Sequence, residues 1–100
     1  MEVRFATEVR EEVAQAERYY EGEVEGLGSA FIQILYESIQ EIKKFPEASR
    51  VIRDPYRRFL TPRFPYGIIF RVEGAIIYVV AVAHLKRRPY YWKNRDNQSG

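Results

Sequence analysis

The chain contains no cysteine, and His84 is its only histidine. Disulfides, thiolate metal sites and cysteine nucleophiles are therefore excluded. A zinc site would have to be built almost wholly from carboxylates, which is unlike the nitrogen and sulfur ligation that zinc prefers. We therefore expect neither a metal nor another cofactor. The absence of disulfides suits a reducing compartment, so we expect a cytoplasmic protein.

Long apolar runs are also missing. The longest covers residues 75–83, about half of the ~20 residues that a membrane-spanning helix needs. Residues 1–5 turn polar at once and lack the basic-then-apolar layout of a secretory signal. We expect no membrane partner and no secretion.

Glycine and proline are scarce, with 6 and 5 residues, whereas 46% of the 100 residues are apolar and 15% are aromatic. This composition is too apolar and too aromatic for a disordered chain, and the length suffices for one core only. We predict a single domain over residues 1–95, followed by a frayed end at 96–100.

Charge is distributed unevenly along the chain, although the net charge is only +2. Residues 1–47 contain 5 Lys/Arg and 11 Asp/Glu, a net charge of −6, whereas residues 48–100 contain 11 and 3, a net charge of +8. The basic half favours an anionic partner, either a nucleic acid or an acidic protein. Alternatively, the two halves neutralise each other within the fold.

The first half of the chain predicts a strand and two helices. Polar and apolar residues alternate over residues 2–6, which is typical of a half-buried strand. Apolar residues then recur at helical spacing over 8–25 and 29–45, with Thr7 as the first helix cap and Pro46 as the final stop. Because only a few residues separate them, the two helices should form an antiparallel hairpin.

The second half predicts three strands, over 57–61, 64–72 and 75–84, because these segments are rich in aromatic and β-branched residues. A two-residue turn at Glu73 and Gly74 would place Arg63 opposite His84 in the last hairpin. The predicted fold is therefore α+β, with the helical hairpin packed on one face of an antiparallel β-sheet.

In that register the two faces of the last hairpin differ. One face is wholly apolar and suits the helices: Tyr66, Ile68, Phe70, Val72, Ala75, Ile77, Val79, Ala81 and Ala83. The other face would be open and would present the functional candidates: Arg63, Ile69, Arg71, Ile76, Tyr78, Val80, Val82 and His84.

Four groups of residues form a pattern that spans much of the chain, at 57–60, 63–73, 80–84 and 88–95. They resemble the RelE/ParE superfamily, the toxins of bacterial type II toxin–antitoxin pairs. In that family a run of Arg-x-Leu is followed by Phe-Pro-Tyr-x-Ile-x-Tyr-x-Val and by Val-x-His-x-x-Arg-x-Pro-x-x-Trp. The resemblance implies a growth inhibitor of the same α+β fold that a cognate acidic antitoxin neutralises.

The superfamily contains two activities. ParE-like toxins poison DNA gyrase by binding it, whereas RelE-like toxins cut mRNA in the ribosome. RelE-like cleavage depends on an arginine directly after the tyrosine of the third strand, where this chain has Gly67 after Tyr66. This difference favours a ParE-like inhibitor that binds DNA gyrase. The alternatives are a RelE-like, ribosome-dependent mRNA endoribonuclease and a degenerate toxin that only binds its antitoxin.

If the chain is a nuclease, its candidate catalytic residues are His84, Arg63, Arg58 and Tyr91. Cleavage by the RNA 2′-hydroxyl needs a base, an acid for the leaving oxygen and positive charge at the phosphate. Imidazole is the side-chain type best suited to proton transfer at neutral pH. His84 could instead be a half-buried histidine at a strand end, and the two arginines could pair with carboxylates of the first helix.

If the chain is a binder, its basic and aromatic C-terminal segment supplies the candidate target-binding residues: Arg87, Arg88, Tyr90, Trp92 and Lys93. Trp92 and Tyr91 could instead form a lid that folds back on the sheet. The open apolar face supplies the candidate antitoxin site: Ile69, Ile76, Val80 and Val82. We expect an antitoxin segment with Leu/Val anchors and acidic neighbours to cover it.

Overall fold

The computed structural model describes residues 1–95 and has an α+β fold, as predicted. Its helices are α1 (Thr7–Glu23) and α2 (Leu27–Lys44), and a short 3-10 helix, Pro46–Ala48, follows α2. Its strands are β1 (Glu2–Phe5), β2 (Arg50–Arg53), β3 (Tyr56–Leu60), β4 (Tyr66–Glu73) and β5 (Ile76–His84). The predicted frayed end at 96–100 lies outside the described residues.

The strands form one sheet in the order β1-β5-β4-β3-β2. Neighbouring strands are antiparallel except for β1 and β5, which are parallel, so the sheet is mixed and not antiparallel throughout as predicted. The helical hairpin covers one face of it. The core between helices and sheet includes Val9, Phe31, Leu35, Ile42, Ile68, Phe70, Ile77, Val79 and Val82. Neither helix combines the length and the apolar composition that a membrane span requires.

The ends of the two helices meet closely at the tip of the hairpin. The carboxylate of Glu21 in α1 accepts hydrogen bonds from the amides of Gly26 and Gly28, both at 2.9 Å, and so stabilises the N-terminus of α2. Glycine is required at position 28, because a Cβ there would lie 2.7 Å from the carbonyl oxygen of Glu17. The predicted cap Thr7 is wrong, since Ala6 occupies the N-cap and Thr7 begins the helix.

Strand β2 was missing from the prediction. Its four residues, Arg-Val-Ile-Arg, stand between Ser49 and the Asp54–Pro55 pair, whose peptide bond is cis. Short strands with charged ends are typical of sheet edges, where they resemble connecting segments in sequence. Strand β2 forms the edge of the sheet next to β3.

The β4–β5 hairpin turns one residue later than predicted. Glu73 pairs with Ile76, so the two loop residues are Gly74 and Ala75. Gly74 adopts a φ of 59°, which a two-residue hairpin turn requires and which glycine tolerates best. Since the loop still has two residues, the faces nearest the turn are as predicted.

A β-bulge in the same hairpin changes the faces further along. Phe70 pairs with Val79 and Ile69 with Ala81, so Val80 is an additional residue in β5. Beyond a bulge, side chains that would have pointed to one face point to the other. The predicted face assignment is therefore wrong for the end of β5: Val82 packs in the core on the helix side, whereas Ala81 and Ala83 lie on the opposite side.

Candidate functional site

Residues 85–95, which we call the tail, fold back over the face of the sheet opposite the helices. Trp92 is only 4% exposed and packs with Ile69, Val80 and Ala81, and its ring lies 4.8 Å from that of Tyr56. Trp92 thus belongs to a second small core, as the lid alternative proposed. In this arrangement it is not accessible for the predicted contact with a target.

A partly buried carboxylate on α1 attaches the tail to the rest of the domain. Glu12 has an 11% exposed side chain. It accepts hydrogen bonds from the Tyr91 hydroxyl at 2.5 Å, from Arg95 at 2.9 Å and from the amide of Val82 at 3.0 Å. Arg95 also donates to the carbonyl of Val80 at 3.2 Å. We call Glu12, Tyr91 and Arg95 the Glu12 network.

The Glu12 network also supplies hydrogen-bond partners to the backbone at the end of β5. Strand β1 ends at Phe5, which pairs with Val79, so no strand of the described part of the chain flanks the remainder of β5 on that side. Buried backbone groups need hydrogen-bond partners. Glu12 and Arg95 supply these partners to the backbone of β5 beyond the end of β1.

Within the Glu12 network, the hydroxyl of Tyr91 is already used as a hydrogen-bond donor. Burial, followed by the hydrogen bond to Glu12, raises the pKa of Tyr91 well above its ordinary value. The phenol is therefore protonated at neutral pH, and its hydroxyl donates a hydrogen bond to Glu12. This geometry argues against the predicted catalytic role for Tyr91.

A cavity of about 340 Å³ lies between the tail and strands β2 and β3, and we call it the arginine cavity. Arg50, Arg58, Arg87 and Arg88 line it, whereas no aspartate or glutamate of the described residues 1–95 does. Within residues 1–95, no acidic side chain forms an ion pair with any of these four arginines. The uncompensated positive charge favours an anionic ligand.

Two of these arginines face each other across neighbouring strands. Arg50 in β2 pairs with Arg58 in β3, and Arg58 pairs with Ile69 in β4. Directly opposed side chains have Cβ atoms about 5 Å apart, and like charges in this position destabilise a sheet. An unfavourable arrangement of this kind is typical of functional sites. Arg50 was not among the predicted site residues because β2 was not predicted.

Gly67 provides the space that Arg58 occupies. A Cβ at position 67 would lie 2.9 Å from both Cγ and Cδ of Arg58, so the aliphatic part of Arg58 lies over the glycine. A larger residue at position 67 would displace Arg58. The position at which RelE-like toxins carry an arginine is thus covered here by an arginine from the neighbouring strand.

His84 borders the arginine cavity, but its ring lies 5.2 Å from that of Tyr66, its partner in the β4–β5 register. Tyr66 packs against the helix-side core, so the predicted position of His84 on the open face is wrong because of the bulge. The Nδ1 of His84 accepts a hydrogen bond from the amide of Lys86 at 3.0 Å. In the neutral ring this bond places the proton on Nε2. His84 can therefore donate a hydrogen bond to a ligand, but it has no free nitrogen that could act as a base while this bond is present.

Arg63, a predicted catalytic residue, lies apart from this cluster. Tyr66, and not Arg63, occupies the position opposite His84. Arg63 lies in the loop between β3 and β4 with a φ of 68°, and its guanidinium is 5.6 Å from the centre of the Phe64 ring. The prediction that Arg63 pairs with His84 is therefore wrong, because β4 begins three residues later than that pairing requires.

The other predicted target-binding residues lie on the tail. Arg87, Arg88 and Lys93 are exposed, and Tyr90 is partly buried. The guanidinium of Arg87 lies 3.9 Å from the centre of the Tyr91 ring, which holds it beside the cavity. The hydroxyl of Tyr90 donates to the carbonyl of Ile52 at 3.2 Å, which fixes the tail to β2. The positive charge of the arginine cavity therefore extends onto the surface of the tail, at Arg87, Arg88 and Lys93.

The predicted antitoxin site does not form an exposed surface. Ile69 and Val80 are buried beneath Trp92, and Val82 is buried on the helix side of the sheet. Ile76 lies at the opposite end of β5, paired with Glu2 and Glu73. The prediction of an open apolar face is therefore wrong, because the tail covers one part of it and the bulge turns Val82 inward.

No group of three or more His, Asp and Glu within residues 1–95 could hold a metal ion. No family model matches the chain, and no curated protein is significantly similar to it. Among solved structures, the chain is similar to one described as "Chromosomal ParDE TA system from P. aeruginosa". The TM-score is 0.71 at 15% sequence identity, and the similarity covers 84% of this chain and 95% of that chain.

The chain has a ParE-like fold. This fold agrees with the superfamily that the sequence motifs resemble. At 15% identity the ParE-like fold alone is established, so the activity has to be argued from the arginine cavity and its surroundings.

Proposed function

We propose that the chain is the toxin of a type II toxin–antitoxin system and that it inhibits growth by binding DNA gyrase. The observation that carries the first part is the ParE-like fold, shared over 84% of the chain with a ParDE system. The sequence motifs that resemble RelE/ParE toxins support the same assignment independently.

The surroundings of the arginine cavity favour binding over catalysis. RNA cleavage needs a base and an acid as well as positive charge. The hydroxyl of Tyr91 donates its hydrogen bond to Glu12, and the Nδ1 of His84 accepts a hydrogen bond from the amide of Lys86. The cavity therefore supplies positive charge without a free base among its lining residues. We propose that Arg50, Arg58 and the exposed Arg87 and Arg88 contact the target.

We propose that the acidic antitoxin binds an apolar groove beside the arginine cavity. Phe45, Phe59 and Leu60 line this groove together with Arg50, Arg58 and one acidic residue, Glu41. Phe45 and Leu60 are exposed. Apolar anchors with acidic neighbours would fit this combination of aromatic side chains and arginines. A segment bound there would also neutralise two arginines of the cavity, which gives a direct route to inhibition of the toxin.

Expression of the chain alone in bacteria tests the proposed function. Division should stop and filamentous cells with a DNA-damage response should appear, while bulk translation continues. The purified protein should inhibit DNA gyrase in a supercoiling assay. Co-expression with a small acidic protein from the neighbouring reading frame, where one is encoded, should relieve the arrest. Normal growth at high expression would contradict the proposal and favour a degenerate toxin that only binds its antitoxin.

A RelE-like endoribonuclease is the second candidate, because His84 borders the cavity that four arginines line. In that case the parent should cut mRNA on programmed ribosomes, and His84→Gln should lower the cleavage rate by roughly 10²–10⁴-fold with an unchanged circular dichroism spectrum. For a gyrase inhibitor, the same variant should leave toxicity almost unchanged. Gly67→Arg is not a suitable gain-of-function variant, because the new side chain would displace Arg58.

A further inference from the structure

Strand β1 forms an edge of the sheet, and its outer side has no partner strand among the described residues. The amides of Glu2 and Ala6 donate to the carbonyls of Ala75 and Val79 on the inner side. Because successive peptide groups of a strand alternate, the amides and carbonyls of Val3 and Phe5 point away from the sheet. A free edge of this kind is a template for a further strand.

The free edge is also apolar on the side that faces the helices. Phe5 is 51% exposed and Met1 is 45% exposed, and both share their side of the strand with Val3. Phe5 lines a cavity of about 650 Å³ together with Ala6, Val9 and Val13. The edge of β1 thus continues into an apolar groove along the first half of α1.

We propose that β1 pairs with β1 of a second copy of this chain, antiparallel and centred on Val3. In this register Val3 lies opposite Val3 of the second copy. Glu2 lies opposite Arg4, and Met1 lies opposite Phe5. The same surface is used by both copies, as a two-fold symmetric dimer requires.

The backbone favours this register. Val3 directs its amide and carbonyl outward, so two Val3 residues can exchange both hydrogen bonds. Glu2 and Arg4 then form non-hydrogen-bonded pairs, in which opposed side chains are closest. If the pairing were instead centred on Arg4, the two Arg4 side chains would lie opposite each other. Like charges in this position are unfavourable.

The side chains are complementary in the same register. Within one chain Glu2 and Arg4 form an exposed ion pair with side chains 55% and 53% exposed, and such pairs contribute little alone. In the dimer each of these side chains gains a second partner of opposite charge. The exposed Met1 and Phe5 also cover each other, so the register brings together the apolar residues that a single chain leaves in water.

Charge favours a second copy over an acidic partner at this edge. Residues 1–11 contain Glu2, Glu8 and Glu11 against Arg4 and Arg10, so the segment is nearly neutral. An acidic antitoxin is attracted more strongly to the basic second half of the chain, where residues 48–100 have a net charge of +8. Because stable interfaces bury about 1,200–2,000 Å² and this one consists of a short strand and half a helix, we expect a dissociation constant in the micromolar range.

Reversal of the two charges tests the pairing. Wild-type protein should show a monomer–dimer equilibrium in sedimentation velocity across the micromolar range. Arg4→Glu should remain monomeric, because Glu2 of each copy would then lie opposite another acidic side chain. Glu2→Arg should also remain monomeric, because Arg4 of each copy would then lie opposite another basic side chain. An equimolar mixture of the two variants should form a heterodimer, since each acidic strand then meets a basic one.

The control variants are Arg18→Glu and Glu37→Arg, which make the same charge changes on exposed helix positions away from β1. Both should dimerise like the wild type, and circular dichroism should show that all four variants are folded. A wild type that is monomeric at every concentration would overturn the proposal. So would a mixture of Arg4→Glu and Glu2→Arg that associates no more than either variant alone.

Discussion

Replacement of both Arg50 and Arg58 with alanine should lower affinity for the target by roughly 10²–10⁴-fold and leave the fold as stable as before or more stable. Each hydrogen bond between an arginine and an anionic partner contributes about 1.5–3 kcal/mol. In the free protein the same two side chains are opposed like charges without an acidic partner among the described residues. Binding to gyrase, toxicity and the thermal unfolding midpoint measure the two effects separately.

The matched control for this prediction is the double variant Arg18→Ala and Lys44→Ala. It removes two positive charges from exposed positions on the helices that do not line the arginine cavity. Only long-range attraction should be lost, so affinity should fall much less, and the difference should shrink as salt is added. Equal loss of binding in the two double variants would show that net charge, and not the cavity, governs binding.

Much of the helical part of the fold could be predicted from the sequence because its apolar residues recur every three or four positions. Val9 and Ala16 of α1 and Phe31, Leu35 and Ile42 of α2 are all buried against the sheet. One face of each helix packs against the core and the other is exposed to water, so the sequence shows an apolar stripe at helical spacing. The helix boundaries differ from prediction by two residues or fewer.

The register of β5 could not be predicted because both of its faces are buried. Residues 75–83 are apolar throughout, so no alternation of polar and apolar side chains indicates where the extra residue Val80 enters. The bulge then moves Val82 to the helix side and changes the predicted open face. The predicted antitoxin site relied on that face, so the prediction was wrong for the same reason.

The arginine cavity and the Glu12 network depend on contacts between distant segments. Arg50 and Arg88 are separated by the three hairpins that strands β2 to β5 form, and Glu12 accepts a hydrogen bond from Tyr91, which lies 79 residues away. Local periodicity contains no information on such pairs. The sequence placed Glu12 in the acidic first part of a helix, where a carboxylate is ordinarily exposed. Only the basic second half and the aromatic tail indicated where the candidate site would lie.

Replacement of Glu12 with alanine should cost about 3–5 kcal/mol of unfolding free energy, because it leaves buried charge and backbone groups without partners. Arg95, whose side chain is 15% exposed, would lose its carboxylate, and the amide of Val82 would lose its acceptor. The hydroxyl of Tyr91 would also be unpaired in a partly buried position. Urea unfolding, followed by circular dichroism, measures the loss.

Glu11→Ala is the matched control, since it removes the same side chain from the adjacent position of α1. Glu11 and Arg18 form an ion pair with side chains 64% and 65% exposed, so this variant should cost no more than about 1 kcal/mol. Trp92 is the only tryptophan and is buried between the tail and the sheet, so its fluorescence reports tail release. In Glu12→Ala the emission should shift at urea concentrations at which the helical signal is still native. If the two variants lose equal stability, or if fluorescence and helical signal change together in Glu12→Ala, the Glu12 network does not hold the tail on the sheet.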